Sequence, residues 1–154
     1  MDRIEIRTSG REQLVDVTDL VSEVVARLDP APAAVLLHVP HTTAGVTINE
    51  GYDPAVAEDV LDVLRRLVPR NAGYRHLEGN SDSHVKAIAT GSSQLVPVDR
   101  GAPMLGRWQR IFFCEFDGPR SQRRQQDTRG EGTTPGGTVV SEHRQPRGGV
   151  VVER

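Results

Sequence analysis

Apolar and polar residues alternate along several short stretches of the chain and recur with helical spacing along others. Ile4 and Ile6 alternate with charged residues, and the apolar stretch 14–17 follows a turn at Ser9-Gly10, so this region is predicted to form a β-hairpin. Four further stretches are short, apolar and rich in strand-forming residues: 33–39, 45–49, 95–98 and 104–116.

Two longer segments carry apolar residues on one helical stripe. Thr18 is the predicted N-cap of the first helix. Asp53 followed by Pro54 begins the second, because proline is tolerated at the first helical position. A third, short helix is predicted over 83–89, after a polar loop over 70–82 that is long enough to be functional. The elements together predict a small α+β domain.

The composition changes sharply after Pro119. Residues 120–154 contain no aromatic residue, Leu, Ile or Met, and their apolar residues are five valines. Because such a segment buries too little apolar surface to offset the entropy lost on ordering, we expect it to be disordered.

Length, charge and cysteine content exclude several classes of protein. The 154 residues suit one domain, and the net charge of −2 gives no reason to expect nucleic acid or an anionic membrane as a partner. No apolar run approaches the roughly 20 residues of a membrane span, and the first residues lack a signal pattern, so a cytoplasmic protein is expected. Cys114 is the single cysteine, which excludes an internal disulfide and cysteine-based zinc modules.

Histidine is the residue type with the clearest chemical potential. His41, His76 and His84 each lie where regular structure begins or stops, and three imidazoles can hold a divalent metal with a position left open. Their spacing matches no short ligand motif, so three unconnected surface or loop histidines are the favoured interpretation at this point, with the metal site as the alternative. His38 alternates with buried strand positions and is interpreted as structural, and His143 lies in the polar tail.

Two other polar clusters are candidates for ligand binding. The stretch 42–50 contains threonines, Asn49 and Glu50, which suit a phosphate or a metal-bound water, although β-propensity alone explains a run of threonines. The lone Trp108, between Arg107 and Gln109, either stacks on a heterocycle or packs in the core.

A series of short motifs occurs in a fixed order along residues 4–124: His41-Thr42-Thr43-Ala44, Thr47-Ile48-Asn49-Glu50, Asp53-Pro54, Tyr74-Arg75-His76, Ser83-His84-Val85-Lys86, Leu105-Gly106-Arg107-Trp108-Gln109 and Phe116-Asp117-Gly118-Pro119-Arg120. The series resembles the YjbQ-like family, also described as secondary thiamine-phosphate synthases. The resemblance implies an α+β fold of packed, mostly antiparallel sheets with two main helices and one short helix. It also implies a homotrimer with sites near subunit boundaries.

The resemblance further implies a weak transferase activity that joins a pyrimidine diphosphate to a thiazole phosphate. The family's histidines fall on His41, His76 and His84, and we hypothesise that these three hold a divalent metal, zinc or magnesium. We hypothesise that Glu50, Asp82 and Lys86 are the catalytic residues. The hypothesised substrate-binding residues are Thr42, Thr43, Asn49, Tyr74, Arg107, Trp108 and Gln109. A non-catalytic trimeric module that binds a metal or an anion is the alternative, and a purely structural trimer is a third.

Two departures from the family pattern concern the ligand and the fold. The usual Gly-Thr-Trp-Gln is Gly-Arg-Trp-Gln here, which adds a charge at Arg107. After Arg124 the expected alternating apolar strand gives way to a polar, Arg-rich and Gly-rich sequence. We therefore expect a YjbQ-like domain at 1–124 and a divergent tail at 125–154, produced by a frameshift or an extension, with the last strand lost and a sheet edge exposed.

Overall fold

The computed structural model describes residues 2–119 and 149–153. Within these residues three helices and eight strands follow one another along the chain: β1 (Asp2–Glu5), β2 (Gln13–Asp16), α1 (Thr18–Ala26), β3 (Ala34–His38), β4 (Ala44–Glu50), α2 (Pro54–Leu67), α3 (Ser81–Thr90), β5 (Ser93–Asp99), β6 (Ala102–Pro103), β7 (Gln109–Glu115) and β8 (Gly149–Glu153). None of the helices in this part of the chain is long and apolar enough to cross a membrane.

The strands form two sheets that share one apolar core. The larger sheet has the order β1-β8-β3-β5-β6 and the smaller one β2-β7-β4, and every pairing is antiparallel. Strand β3 contributes Val35 and Leu37 to the core and β7 contributes Ile111 and Phe113. Helix α1 adds its valine stripe to the same cluster, so the predicted α+β fold with packed antiparallel sheets is confirmed.

Helices α2 and α3 cover the other face of the smaller sheet. Because strand side chains alternate between faces, Phe112 and Cys114 point away from the main core. They pack instead against Leu61 and Leu64 of α2 and Ala87 of α3. The position of α3, which carries His84, Asp82 and Lys86, is therefore set by this second apolar layer.

The predicted start of the second helix at Asp53-Pro54 is confirmed. The Asp53 side chain accepts a hydrogen bond from the N–H of Ala55 at 2.9 Å, which caps α2 with Pro54 in its first turn. The turn between β5 and β6 lies at Arg100 and Gly101, whose φ angles of 50° and 76° are left-handed. A glycine at the second position lowers the cost of that conformation.

Two predictions for the N-terminal region are wrong. β1 and β2 do not form a hairpin, because β1 pairs with β8 in the larger sheet and β2 pairs with β7 in the smaller one. The cap position of α1 is Val17 rather than Thr18. The hydroxyl of Thr18 instead donates to Asp16 at 2.6 Å and accepts from the N–H of Ile111 at 2.8 Å, which joins the helix start to β7.

The expectation that the last strand is lost is also wrong. Gly149–Glu153 forms β8, which lies between β1 and β3 and is hydrogen-bonded to both. Val150, Val151 and Val152 are buried. Three of the five tail valines are therefore adjacent and supply enough apolar surface for one strand, which the low apolar content of the whole tail did not indicate. No edge is exposed where β8 fills the sheet. The expected disorder of the rest of the 125–154 tail concerns residues 125–148 and 154, which lie outside the described part of the chain.

Candidate functional site

His76 and His84 lie side by side on the surface. His84 is on α3, His76 is in the loop before it, and their ring centroids are 5.3 Å apart in an edge-to-face arrangement. Glu78 approaches His76, with its carboxylate 3.7 Å from Nε2 of that ring. We call His76 and His84 the histidine pair. The pair and Glu78 bring two imidazoles and one carboxylate to one patch of the surface. Side chains of these types bind divalent metals, although in one copy the three are not placed to share one ion.

His41 is held by the segment that leads into β4. Its Nδ1 accepts from the N–H of Thr43 at 3.2 Å and lies 3.1 Å from the Thr43 hydroxyl. Thr43 is buried, whereas Thr42 is exposed. The threonines of this motif therefore differ in role, since one orients the imidazole and the other faces solvent.

The three histidines do not assemble into a metal centre within one copy of the chain. Over residues 2–119 and 149–153, no group of three His, Cys, Asp or Glu side chains could hold a metal ion. His38, interpreted as structural, accordingly stands apart: its Nδ1 is 2.8 Å from the hydroxyl of Ser93 on the neighbouring strand.

Asp82 and Lys86 belong to a buried network of opposite charges. Both oxygens of Asp82 accept from the guanidinium of Arg11, each at 3.0 Å, and one also accepts from the ammonium of Lys86 at 3.0 Å. Lys86 donates in addition to Glu12 at 2.5 Å. We call Arg11, Glu12, Asp82 and Lys86 the charge cluster. It ties α3 to the segment between β1 and β2, with Asp82 0% and Lys86 1% exposed.

The two carboxylates of the cluster are held ionised. Burial by itself would raise the pKa of Asp82, but the hydrogen bonds from Arg11 and Lys86 and their charges outweigh it and lower the pKa to about 2. Burial by itself would also raise the pKa of Glu12. The hydrogen bonds from Lys86 and Arg65 outweigh that effect, so the pKa of Glu12 is lowered overall. These carboxylates therefore act as fixed anions at neutral pH rather than as proton donors.

The histidine pair and the charge cluster use different sides of α3. Residues two apart on a helix point about 200° from each other, so Asp82 and Lys86 face the sheet while His84 between them faces outwards. Asp82 is consequently committed to Arg11 and Lys86 and is not directed at the imidazole of His84.

A third group of candidates lies at the opposite end of the smaller sheet. We call Glu50, Arg107, Trp108 and Gln109 the Trp108 end. Glu50 is paired with Gln109, and the carbonyl of Trp108 accepts from the N–H of Gly51 at 2.9 Å. β4 spans seven residues, which separates this end from the start of the strand by about 20 Å.

Side chains at the Trp108 end are poorly covered. Trp108 is 55% exposed, and Asn49 and Arg107 are exposed. The interpretation of Trp108 as a core aromatic is therefore wrong. Tyr74, 37% exposed, lies in the loop before α3, two residues from His76. One copy of the chain thus separates the predicted substrate-binding residues into two regions.

Arg11, Glu12 and Arg65 belong to the charged region around α3, but the sequence does not predict them as site residues. Arg11 and Glu12 lie next to an ordinary turn, and their partners are about seventy residues away, so no local pattern connects them. The one sequence signal was that Lys86 is the only lysine beside eighteen arginines.

A family profile described as "UPF0047 protein YjbQ-like" matches residues 2–128. The UPF0047 protein MJ1081 of Methanocaldococcus jannaschii is 46% identical over 118 residues, which cover 77% of this chain and 86% of that protein. The UPF0047 protein YugU of Bacillus subtilis is 42% identical over 120 residues, or 77% and 91% of the two chains.

Solved structures of the same family have a similar fold. An uncharacterized conserved protein of the yjbq/upf0047 family from Clostridium acetobutylicum superposes with a TM-score of 0.76 at 42% identity, covering 78% of this chain and 93% of that one. The conserved hypothetical protein TT1486 from Thermus thermophilus gives a TM-score of 0.72 at 44% identity, with the same coverage.

Proposed function

Since this chain belongs to the UPF0047 YjbQ-like family, we propose that it acts on a phosphorylated small molecule at a metal site built on the histidine pair. The observation that carries the proposal is the juxtaposition of His76 and His84 with Glu78 at an exposed surface. A zinc site with three protein ligands keeps one position open for water or substrate. Magnesium is the second candidate metal, and it would rely more on the carboxylate.

The reaction in this proposal joins a pyrimidine diphosphate to a thiazole phosphate. A divalent metal bound at the pair would neutralise the negative charge of the departing diphosphate. Thr42, exposed beside His41, would donate to a phosphate oxygen, and Tyr74 would stack on a ring near the pair.

The complete site in this proposal needs more than one copy of the chain. The histidine pair lacks a third imidazole from its own copy, and the Trp108 end presents an exposed aromatic ring with Asn49, Glu50, Arg107 and Gln109 around it. In a homotrimer, His41 and the Trp108 end of neighbouring copies would complete the pair and bind the organic part of the substrate.

A non-catalytic module that binds a metal or an anion is the second candidate. The observation that favours it is that Asp82 and Lys86, two of the three hypothesised catalytic residues, are buried in ion pairs with Arg11 and Glu12. Ion pairs buried this firmly stabilise the fold. Asp82, whose pKa is lowered to about 2 by its hydrogen bonds from Arg11 and Lys86, stays ionised at neutral pH and does not donate a proton to a substrate.

The metal content of His84→Ala tests the site. We expect the parent protein to retain divalent metal after dialysis and His84→Ala to lose it, since one of two imidazoles at the pair is removed. His38→Ala is the matched control, because His38 bonds to Ser93 and should leave the metal content unchanged. Equal metal content in His84→Ala and the parent would remove the histidine pair from the proposal.

An assay with the pyrimidine diphosphate and the thiazole phosphate separates the two candidate functions. The transferase proposal predicts product that depends on added divalent metal and on His84. Metal bound through His84 without any product would favour the binding module.

A further inference from the structure

A cleft of about 470 Å³ opens on the side of α3 that faces away from the histidine pair. It lies between the start of β2, the end of α2 and α3. Six residues line it: Arg11, Glu12, Arg65, Pro69, Arg70 and Lys86. We call it the basic cleft, because four of its six lining residues are cationic.

The one acidic residue of the lining is already saturated. Glu12 accepts from Lys86 at 2.5 Å and from Arg11 at 3.5 Å through one oxygen, and from Arg65 at 2.6 Å through the other. Both carboxylate oxygens are therefore committed to cations of the lining. Glu12 fixes those cations in place and does not compete for their remaining donors.

Some N–H donors that line the basic cleft have no acceptor among the described residues. An ammonium has three N–H donors, and Lys86 uses two of them, on Glu12 and Asp82. Lys86 is 1% exposed, and a buried donor that lacks an acceptor is costly. The described residues provide these two acceptors and no other, so one N–H of the Lys86 ammonium has no acceptor among them.

The rim of the cleft adds guanidinium donors. Arg65 uses Nε on Glu12 and Nη1 on Asp62, which leaves Nη2 without an acceptor in the described part of the chain. Arg70 forms no ion pair with any residue of 2–119 or 149–153 and is exposed. Guanidinium groups match the oxygens of phosphate in geometry as well as in charge.

We propose that the basic cleft binds a small tetrahedral oxyanion, inorganic phosphate or the phosphate of an organic monoester, with Lys86 at its floor and Arg65 and Arg70 at its rim. Carboxylates behind the cleft balance much of the positive charge, namely Asp62, Asp82 and Asp117 besides Glu12. Affinity therefore comes from directed donors, and we expect a dissociation constant on the order of 1 mM or tighter. The inference goes beyond the proposed function, since it needs neither a metal nor a reaction.

Calorimetric titration of the full chain with inorganic phosphate, in the presence of a chelator, tests the site. We expect saturable binding by the parent and about tenfold weaker binding by Arg70→Gln, because a charge-assisted hydrogen bond is removed. Arg66→Gln is the matched control: Arg66 also lies near the end of α2 but donates only to the backbone of Asp62 and does not line the cleft.

Two results would overturn the proposal. One is the lack of saturable phosphate binding by the parent. The other is equal weakening by Arg66→Gln and Arg70→Gln, which would indicate diffuse attraction by surface charge. Arg70 has no described ion-pair partner, so Arg70→Gln should fold normally, unlike a change at buried Lys86.

The source of the oxyanion is resolved by repeating the titration with a phosphate monoester. Tighter binding of the monoester than of inorganic phosphate would support an organic ligand, and equal binding would support the inorganic ion. His84→Ala should bind phosphate as the parent does. Loss of phosphate binding in His84→Ala would contradict a site that is separate from the histidine pair.

Discussion

The two ends of the smaller sheet position their charged side chains in opposite ways. At one end, the charge cluster holds Asp82 through three hydrogen bonds and excludes it from solvent. At the other end, Glu50 forms no ion pair within the described residues, and Trp108 is 55% exposed. The same strands β4 and β7 run between them.

The contrast between the two ends shows which candidate residues one chain positions by itself. Opposite charges buried together must be fully paired, and that requirement fixes their geometry. Exposed side chains such as Trp108 keep their rotational freedom until a ligand or another subunit orders them. The charge cluster is therefore complete in one copy, whereas Trp108, Arg107 and Gln109 of the Trp108 end stay exposed in one copy.

Removing one carboxylate from each end gives the largest expected contrast. Asp82→Ala leaves Arg11 and Lys86 without their shared anion and should lower the free energy of unfolding by about 3–5 kcal/mol. Glu50→Ala is the matched change at the other end and should stay within about 0.5 kcal/mol. Denaturant titration followed by circular dichroism measures both. Similar losses in the two variants would contradict the contrast between the ends.

The stability of the charge cluster should also depend on acid pH, because Asp82 is held ionised by its partners. The pKa of Asp82 is lowered from its ordinary value of 3.8 to about 2, so its contribution is complete above pH 4 and is lost as the pH falls towards 2. The shift corresponds to about 2 kcal/mol. We expect the difference in unfolding free energy between the parent and Asp82→Asn to shrink by that amount over this interval.

A control at the other end isolates the effect of Asp82. The matched control is Glu50→Gln, which removes a carboxylate that forms no ion pair among the described residues. If the Asp82→Asn difference stayed constant from pH 4 to pH 2, Asp82 would not be held ionised by its partners.

The fold was largely predictable because its signals are local. The cap and proline at Asp53-Pro54 and the short apolar, strand-forming stretches of β3 and β4 depend on neighbours along the chain, and the structure confirms them. The failures are contacts between distant residues. β1 pairs with β8 across almost the whole sequence, and no period within Ile4–Ile6 identifies that partner.

The candidate site was predictable in composition but not in arrangement. Motif order selected His76 and His84, which do lie together. It also grouped Asp82 with His84, although helical rotation directs them to different sides of α3. Arg11 and Glu12 were not predicted as site residues, because charged residues beside a turn normally face solvent. Only the tertiary fold brings Glu12 against Lys86 and Arg11 against Asp82.

Trp108→Ala is expected to change folding stability least. It is also the most direct test of whether a subunit contact orders the Trp108 end. A side chain that is 55% exposed contributes little to the fold of one copy, so Trp108→Ala should alter the free energy of unfolding by no more than about 1 kcal/mol. In the proposed homotrimer, however, the same ring lies at a subunit boundary. Sedimentation velocity should then show the parent as a trimer and Trp108→Ala shifted towards smaller species.

Trp108→Phe serves as the control, because it keeps an aromatic ring at the boundary and should preserve assembly. Trp108 is also the only tryptophan, so its fluorescence reports on its own surroundings. Emission that moves to shorter wavelength as the parent associates would place the ring in the contact. A trimer that persists unchanged in Trp108→Ala, with emission independent of protein concentration, would mean that a ligand rather than a second subunit orders this end of the sheet.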